Sequence, residues 1–279
     1  FPTYGEVMTS DLKNYVASDV DWNLFLFKNQ KRYQLMYDSG GFLGVGKLLN
    51  LTLNTQHNLL LISGQGLECV KHNECNANES DVSKSKYWHY DWAVLWNLKT
   101  QKPIYDFRGN YAKTYATLSP DGKYVINGDE NVHSYMWSTV TGKLIYRIPY
   151  PSGFIVKKNN KYVQDSKGFP KIPKDFFHVD YETGFTILSY KFITSNKFLR
   201  FTTYIPYAIL YDKADPRPKK YFKLGKDPKP AVDDYLRDEA IDTSPEAHVL
   251  VMAKQSKPGI LVYHYDPKHQ TFKRVWNSE

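Results

Sequence analysis

Apolar and polar positions alternate along most of this chain in short runs, separated by clusters of Asn, Ser, Asp, Pro and Gly. Five segments share one order of run, polar turn and second run. They are LTLNTQHNLLLI (51–62), ATLSPDGKYVI (116–126), FIVKKNNKYV (154–163), FITSNKFLRF (192–201) and IDTSPEAHVLV (241–251). Their runs are rich in β-branched, aromatic and leucine side chains, which fit a pleated, half-buried surface, and their turns hold the residues that tight turns favour. Such alternation bounded by turn residues predicts β-hairpins. The one helical candidate, AVDDYLRDEAI (231–241), is short. The pattern predicts an all-β chain.

A second feature recurs downstream of these hairpins. WNLKTQK (96–102) and WSTVTGK (137–143) have the same form, with Trp96 and Trp137 41 residues apart. VDYETGF (179–185) puts Val179 in the Trp place, and FKNQKRY (27–33), YDKADPR (211–217) and YHYDPKH (263–269) supply Phe27, Tyr211 and Tyr263. A further short run follows these anchors: PIYDF (103–107), KLIYRI (143–148), FTILSY (185–190), KKYFKL (219–224) and TFKRVW (271–276). Four strands per unit at a period near 40 is the signature of a propeller blade. Residues 1–39 supply a first unit, with strands near GEVMTS, NYVAS, WNLFLF and RYQLMYD, and the last unit ends at Trp276. The expectation is a single β-propeller domain over 1–279, built of four-stranded antiparallel blades. Six blades account for the chain, and seven are left open by the divergent ends and a long insertion. That insertion, QGLECVKHNECNANESDVSKSKYWHY (65–90), is expected as a loop in blade two.

The segment 110–148 carries the clearest likeness to a known family. Its LSPDGKYV stands where WD40 repeats have a Ser-Pro-Asp-Gly turn, and its Trp137 with Thr141-Gly142-Lys143 stands where they close a strand on Trp-Asp. The chain resembles the WD40 and related bacterial propeller-repeat families, closely over 91–148 and loosely elsewhere. It departs from them at Trp96-Asn97 and Trp137-Ser138, which replace Trp-Asp, and at Gly109-Asn110, which replaces Gly-His. The resemblance implies the fold and leaves the function open.

Charge and cysteines add to this. The net charge is +8, and the densest basic stretch is DKADPRPKKYFKLGKDPKP (212–230), interrupted by Asp212, Asp215 and Asp227. It reads as a solvated loop, with binding of a polyanion as the alternative. Cys69 and Cys75 lie six positions apart in a polar segment, a spacing that a small disulfide loop satisfies in an oxidising compartment. With no second ligand pair nearby, no zinc or other metal site is expected. No apolar run is long enough for a transmembrane helix.

Catalytic patterns are missing. The sequence has no Gly-x-Ser-x-Gly, no His-Glu-x-x-His and no phosphate-cradling glycine loop; SGGFLGVGK (39–47) lacks the Gly-Lys-Ser/Thr ending and reads as an inter-blade linker. His178-Val-Asp180 and His264-Tyr-Asp266 are similar pairs on third strands. Alternation puts each His and Asp on one sheet face, but third strands lie away from the axis, so these read as structural or surface groups.

Binding is expected on the face that holds the loops between second and third strands and the loops between blades, where long insertions concentrate. Three segments qualify. The blade-two insertion ends in Tyr87, Trp88, His89 and Tyr90, either a preorganised aromatic contact patch or the buried start of the third strand. SKGFPKIPKDFF (166–177) offers Phe169, Lys171 and Lys174. LGKDPKPAVDDYLRDEA (224–240) offers Lys226 and Lys229. The expectation is a monomeric, non-enzymatic scaffold without a cofactor, secreted, periplasmic or at the cell surface, its leader outside this chain. It would bind another, acidic, protein through that face, as an inhibitor or in envelope assembly. An enzyme or small-ligand binder using the central channel is the alternative. Nucleic acid is not the expected partner.

Overall fold

The computed structural model describes residues 6–8, 14–18, 24–28, 31–36, 45–69, 87–100, 102–108, 115–128, 134–149, 154–158, 161–171, 173, 187–202, 207–223, 241–253 and 259–277. These residues form strands joined by turns. The first sheet holds β1 (Glu6–Met8), β2 (Asn14–Ser18), β3 (Leu24–Lys28) and β4 (Lys31–Met36). The second holds β5 (Val45–Asn54), β6 (Leu59–Cys69), β7 (Tyr87–Asn97) and β8 (Lys102–Arg108). The third holds β9 (Tyr115–Leu118), β10 (Tyr124–Gly128), β11 (Ser134–Ser138) and β12 (Leu144–Ile148). A two-stranded hairpin follows, β13 (Phe154–Lys158) and β14 (Lys161–Asp165). Then come β15 (Ile187–Phe192), β16 (Lys197–Thr202), β17 (Tyr207–Asp212) and β18 (Asp215–Lys223), and a last sheet of β19 (Ile241–Ser244), β20 (Val249–Ala253), β21 (Ile260–Asp266) and β22 (Thr271–Asn277). Every pairing is antiparallel between consecutive strands.

The sheets stand radially. β1 touches β5, β5 touches β9, β9 touches β15 and β15 touches β19, so the first strands form the inner ring. Outer strands face water: β12 and β22 are mostly exposed, whereas β10 and β17 are mostly buried. Apolar faces of neighbouring sheets fill the space between them. Val16 and Leu26 pack with Leu60, Val94 and Trp96 across the first gap, and Leu61, Leu95 and Phe107 pack with Ala116 and Val125 across the second. Burial of such side chains is the main driving force of the fold.

The third gap corrects the sequence reading. Ile126, Met136 and Ile148 pack directly against Tyr190, Phe192, Phe198, Tyr207, Ile209 and Tyr211. The β9–β12 sheet therefore lies against the β15–β18 sheet, and the β13–β14 hairpin does not stand between them. Buried polar groups cross the same gap: the Tyr190 hydroxyl donates to Ser134 Oγ, and Arg200 Nη1 donates to the Pro149 carbonyl at 3.2 Å. Among the described residues the expected fourth blade is reduced to the β13–β14 hairpin, because the sequence pattern counts one strand twice. The sequence pattern lets FTILSY close unit four and the start of FITSNKFLRF open unit five, but Ile187–Tyr190 of the one and Phe192 of the other belong to the single strand β15. Thr194 accepts bonds from the Asn196 and Lys197 amides, and this tight turn commits β15 to β16. The described residues thus complete five four-stranded sheets and one two-stranded hairpin, rather than six or seven four-stranded blades. The anchor at Val179 lies outside the described residues.

Four of the anchors hold equivalent places. Two residues beyond Trp96, Trp137, Tyr211 and Tyr263, the amides of Leu98, Thr139, Lys213 and Tyr265 donate to the carbonyls of Asn58, Lys123, Asn196 and His248. The first three bonds tie the turn between third and fourth strands to the turn between first and second, and the fourth leaves from Tyr265, still within β21.

Candidate functional site

Antiparallel alternation gives the wheel two faces. Turns between strands one and two and between strands three and four share one, the turn face. Connections between strands two and three, and between sheets, share the other, the loop face. The expected binding residues belong to the loop face, and its connections lie outside the described residues apart from one feature.

That feature is in the second sheet. β6 and β7 each run for 11 residues, and their ladder continues through Gln65↔Asp91, Gly66↔Tyr90, Leu67↔His89, Glu68↔Trp88 and Cys69↔Tyr87. β5 accompanies β6 as far as Leu67, paired with Val45. The pairing of β7 with β8 stops at Trp92↔Arg108. The expected loop 65–90 therefore starts and ends as strand: Tyr87, Trp88, His89 and Tyr90 are the first residues of β7. They extend beyond the pairing of β8, so among the described residues this stretch of β7 is an edge. Residues 70–86 lie outside the described residues. Cys75 is among them, and with it the Cys69–Cys75 pairing.

The other expected contact residues do not gather there. β14 leads into a turn in which the Phe169 amide donates to the Ser166 carbonyl at 3.0 Å. Gly168, at φ +78, lies so close to Arg217 that a Cβ there would sit 2.7 Å from its Nη1. Asp165, Lys167, Asp215, Pro216 and Arg217 line a shallow cleft of about 450 Å³. Arg217 lies just after the β17–β18 turn, so Phe169 (half-buried) and Lys171 (exposed) follow a turn docked near the turn-face rim. The described part of this segment, 166–171 and 173, thus lies beside the β17–β18 turn and apart from the β6–β7 ribbon, while residues 174–186 lie outside the described residues. Lys174, Lys226 and Lys229 lie outside the described residues.

The turn face is built from local chemistry. In the turn 119–123, Ser119 donates to Asp121 at 2.6 Å and accepts from the Tyr124 amide at 2.9 Å, while Gly122 adopts φ +67. Burial would raise the Asp121 carboxyl, but hydrogen bonds from Ser119, Lys213 and the Lys123 amide hold it below its ordinary value. Lys213 reaches Asp121 from the β17–β18 turn at 3.1 Å. The residue after three of the anchors caps its turn: Asn97 accepts from the Lys99 and Thr100 amides, Ser138 from those of Val140 and Thr141, and Asp212 from that of Ala214; in the last sheet Asp266, three residues after Tyr263, accepts from the Lys268 and His269 amides. This explains why Asn97 and Ser138 can stand where WD40 repeats have Asp: each short polar side chain accepts the same turn amides. In place of a longer polar network, the Trp137 indole donates to Asn127 at 2.8 Å.

Outer strands peg one sheet to the next. Tyr105 of β8 donates to the Val140 carbonyl at 3.0 Å, Tyr146 of β12 to that of Lys213 at 2.9 Å, and Lys220 of β18 to that of Gln270 at 2.9 Å. The pegs skip β13–β14, as the core does. Burial pushes the Tyr146 hydroxyl well above its usual range, with Asp212 and Asp215 adding to the shift, so it stays a donor.

The basic stretch 212–230 is less free than its sequence suggests. Asp215 receives Arg217 at 2.8 Å and also Lys219, and hydrogen bonding from Arg217, then from Lys219, holds its carboxyl far below the usual range. Lys197 pairs with Asp212 at 3.4 Å. Of the His-x-Asp pairs, Asp266 is bound to His269 at 2.6 Å rather than to His264, and that bond lowers its carboxyl to about 2. His178 and Asp180 lie outside the described residues. Among the described residues there is no cluster of three metal-ligating side chains, and no helix long and apolar enough to cross a membrane.

No family model matches this sequence, and no curated protein does. Among solved structures, the β-propeller domain of Cps50 (Swd1) from Myceliophteria thermophila superposes over 99% of this chain and 72% of its own, at a TM-score of 0.64 and 12% identity. At that identity the likeness speaks for the fold, and 1086 solved chains share it, so it does not choose among functions. Radial four-stranded sheets, recurrent anchors and this neighbour together make the chain an all-β protein with a WD40-like propeller fold.

Proposed function

We propose that this protein is a non-enzymatic docking platform that captures another protein on its loop face, centred on the extended β6–β7 ribbon. One observation carries the reading: the ladder from Gln65↔Asp91 to Cys69↔Tyr87 continues beyond the partner strand β8. A projecting edge offers backbone donors and acceptors in register with the sheet, ready to receive an extended segment of a partner. The sequence Tyr87-Trp88-His89-Tyr90 supplies the residue types that anchor interfaces. The basic excess of the chain favours an acidic partner, whose encounter it would speed. An inhibitor and an envelope-assembly factor would both use such a platform. An extracytoplasmic location accompanies the reading through Cys69 and Cys75. A Cys69–Cys75 bridge would staple the end of the ribbon and lower the ordering cost of binding.

The test is capture of partners from the native host by the parent chain and by Trp88→Ala/Tyr90→Ala. Loss of the captured band with an unchanged melting midpoint supports the site; undiminished capture removes it. Mass spectrometry of the alkylated, unreduced protein tests the bridge. Two alkylated thiols would end the argument for an oxidising compartment.

A further inference from the structure

The turn face carries a chemistry unlike that of the ribbon. Each of the five anchor heptads in the described sheets brings lysine: FKNQKRY, WNLKTQK, WSTVTGK, YDKADPR and YHYDPKH. The fold sets these turns side by side on one face. Lys31, Lys99, Lys102, Lys123, Lys143 and Lys268 are exposed there, and none makes an ion pair among the described residues. Most carboxylates of the same turns face a cation: Asp121 meets Lys213, Asp212 meets Lys197, and Asp215 meets Arg217 and Lys219. Asp266 is hydrogen-bonded to His269 and keeps its negative charge beside Lys268. Exposed Glu246 is the other turn carboxylate without a lysine or arginine partner among the described residues. In the β15–β18 sheet the recurrent lysine is turned inward, since Lys213 bonds Asp121 and lies 4.9 Å over the Tyr124 ring. Uncompensated positive charge is therefore spread over four of the five sheets rather than gathered in a groove.

An apolar tip projects within this field. Val140 is 71% exposed in the same turn as Lys143, and the neighbouring Leu144 and Ile145 are about half exposed. The tip is held firmly: its carbonyl accepts from Tyr105, and Gly142, at φ +68, fits flat against the Tyr105 ring. Lysines around a fixed apolar projection match the interface of an anionic bilayer, where cations meet headgroups and a methyl-bearing tip enters the acyl boundary.

We propose that the turn face docks on an anionic lipid surface. Its geometry separates this from other polyanions. A plane reaches lysines on all four sheets at once, whereas a nucleic acid duplex is a narrow rod covering part of the ring, and its phosphates offer Val140 nothing. The loop face stays free, so this docking and capture of a protein partner are compatible, and neither depends on the other.

Co-sedimentation of the full chain with phosphatidylcholine vesicles, with and without phosphatidylserine, tests the proposal. The protein should pellet only with the anionic vesicles, and added salt should release it. A lysine near such a surface contributes on the order of five-fold in partitioning, so Lys99→Glu/Lys143→Glu should lower binding by at least about 25-fold on the same scale. Lys223→Glu, at the loop-face end of β18, should bind nearly as the parent does. Val140→Ser should weaken binding without changing its salt dependence. Far-UV circular dichroism and melting midpoints matching the parent establish that the variants fold. Equal binding to neutral vesicles, full binding by the double variant, or retention by a DNA duplex or an acidic polypeptide but not by vesicles would each overturn it.

Discussion

The contact between Tyr190 and Ser134 gives the sharpest test of how the wheel is assembled. Tyr190 lies on β15 and Ser134 on β11; they are 1% and 0% exposed, and the phenol donates to the serine hydroxyl. Tyr190→Phe keeps the ring and removes the donor, leaving a buried serine oxygen short of one partner. Ser134→Ala does the reverse and leaves a buried phenol hydroxyl without that acceptor. Each orphaned group costs roughly 1–3 kcal/mol. The double variant leaves neither orphan, so its cost should fall short of the sum of the two by about 1–2 kcal/mol. Urea unfolding at constant m-value measures all three differences, and melting should shift by about 2–4 °C per kcal/mol for a chain of this size. The two residues are 56 apart in sequence, so coupling requires that the β9–β12 and β15–β18 sheets be neighbours. Additive losses, within about 0.5 kcal/mol, would show that they do not meet and would restore a blade between them.

Other consequences are local. Gly142→Ala places a Cβ 2.5 Å from Tyr105 Cδ1 at a φ of +68; left-handed strain and displacement of the ring should cost about 2–3 kcal/mol in urea unfolding, and Tyr105→Ala should relieve part of it. Trp137→Phe removes the indole donor to Asn127 and should cost about 1–3 kcal/mol. Because the Asp121 carboxyl is held below its ordinary value, it contributes stability above the unfolded carboxylate range and loses it as pH falls through the folded value. Acid unfolding of Asp121→Asn should therefore be less steep than that of the parent, and a parallel profile would refute the role.

What could be read from the sequence was set by how local the signal is. The anchors at Trp96, Trp137, Tyr211 and Tyr263 were recognisable because turn chemistry is written in adjacent residues, and the same amide-to-carbonyl bond recurs at each. The fourth unit was not legible because FTILSYKF (185–192) is one unbroken β-forming run, and no local rule says which hairpin owns it; the turn at Thr194 and packing against Tyr207 and Ile209 decide it. The ribbon was half-seen. The expected loop begins at Gln65, yet the ladder runs on to Cys69 and resumes at Tyr87. The place of Phe169 and Lys171, beside the β17–β18 turn, depends on a contact between Gly168 and Arg217 that no local pattern announces.

The two faces differ in what sets their chemistry, and this bears on where variation would matter. Turn-face residues serve the fold first: Asn97, Ser138 and Asp212 cap turns, Tyr105 and Tyr146 peg sheets, and Asp121 clamps a lysine from the next sheet. The exposed lysines beside them do none of this, so a ring of cations sits on a rigid, repeated frame that does not need it. The ribbon is the opposite case, a departure from the repeat in which β5, β6 and β7 run longer than any strand of the other sheets. Lengthening three strands orders more residues than the blade requires, at about 1–2 kcal/mol each, and among the described residues the extended part of β7 forms no pair with β8 in return. A cost of that size, borne at one place in a repeated frame, is the physical ground for seeking the partner at the ribbon rather than at the regular turns.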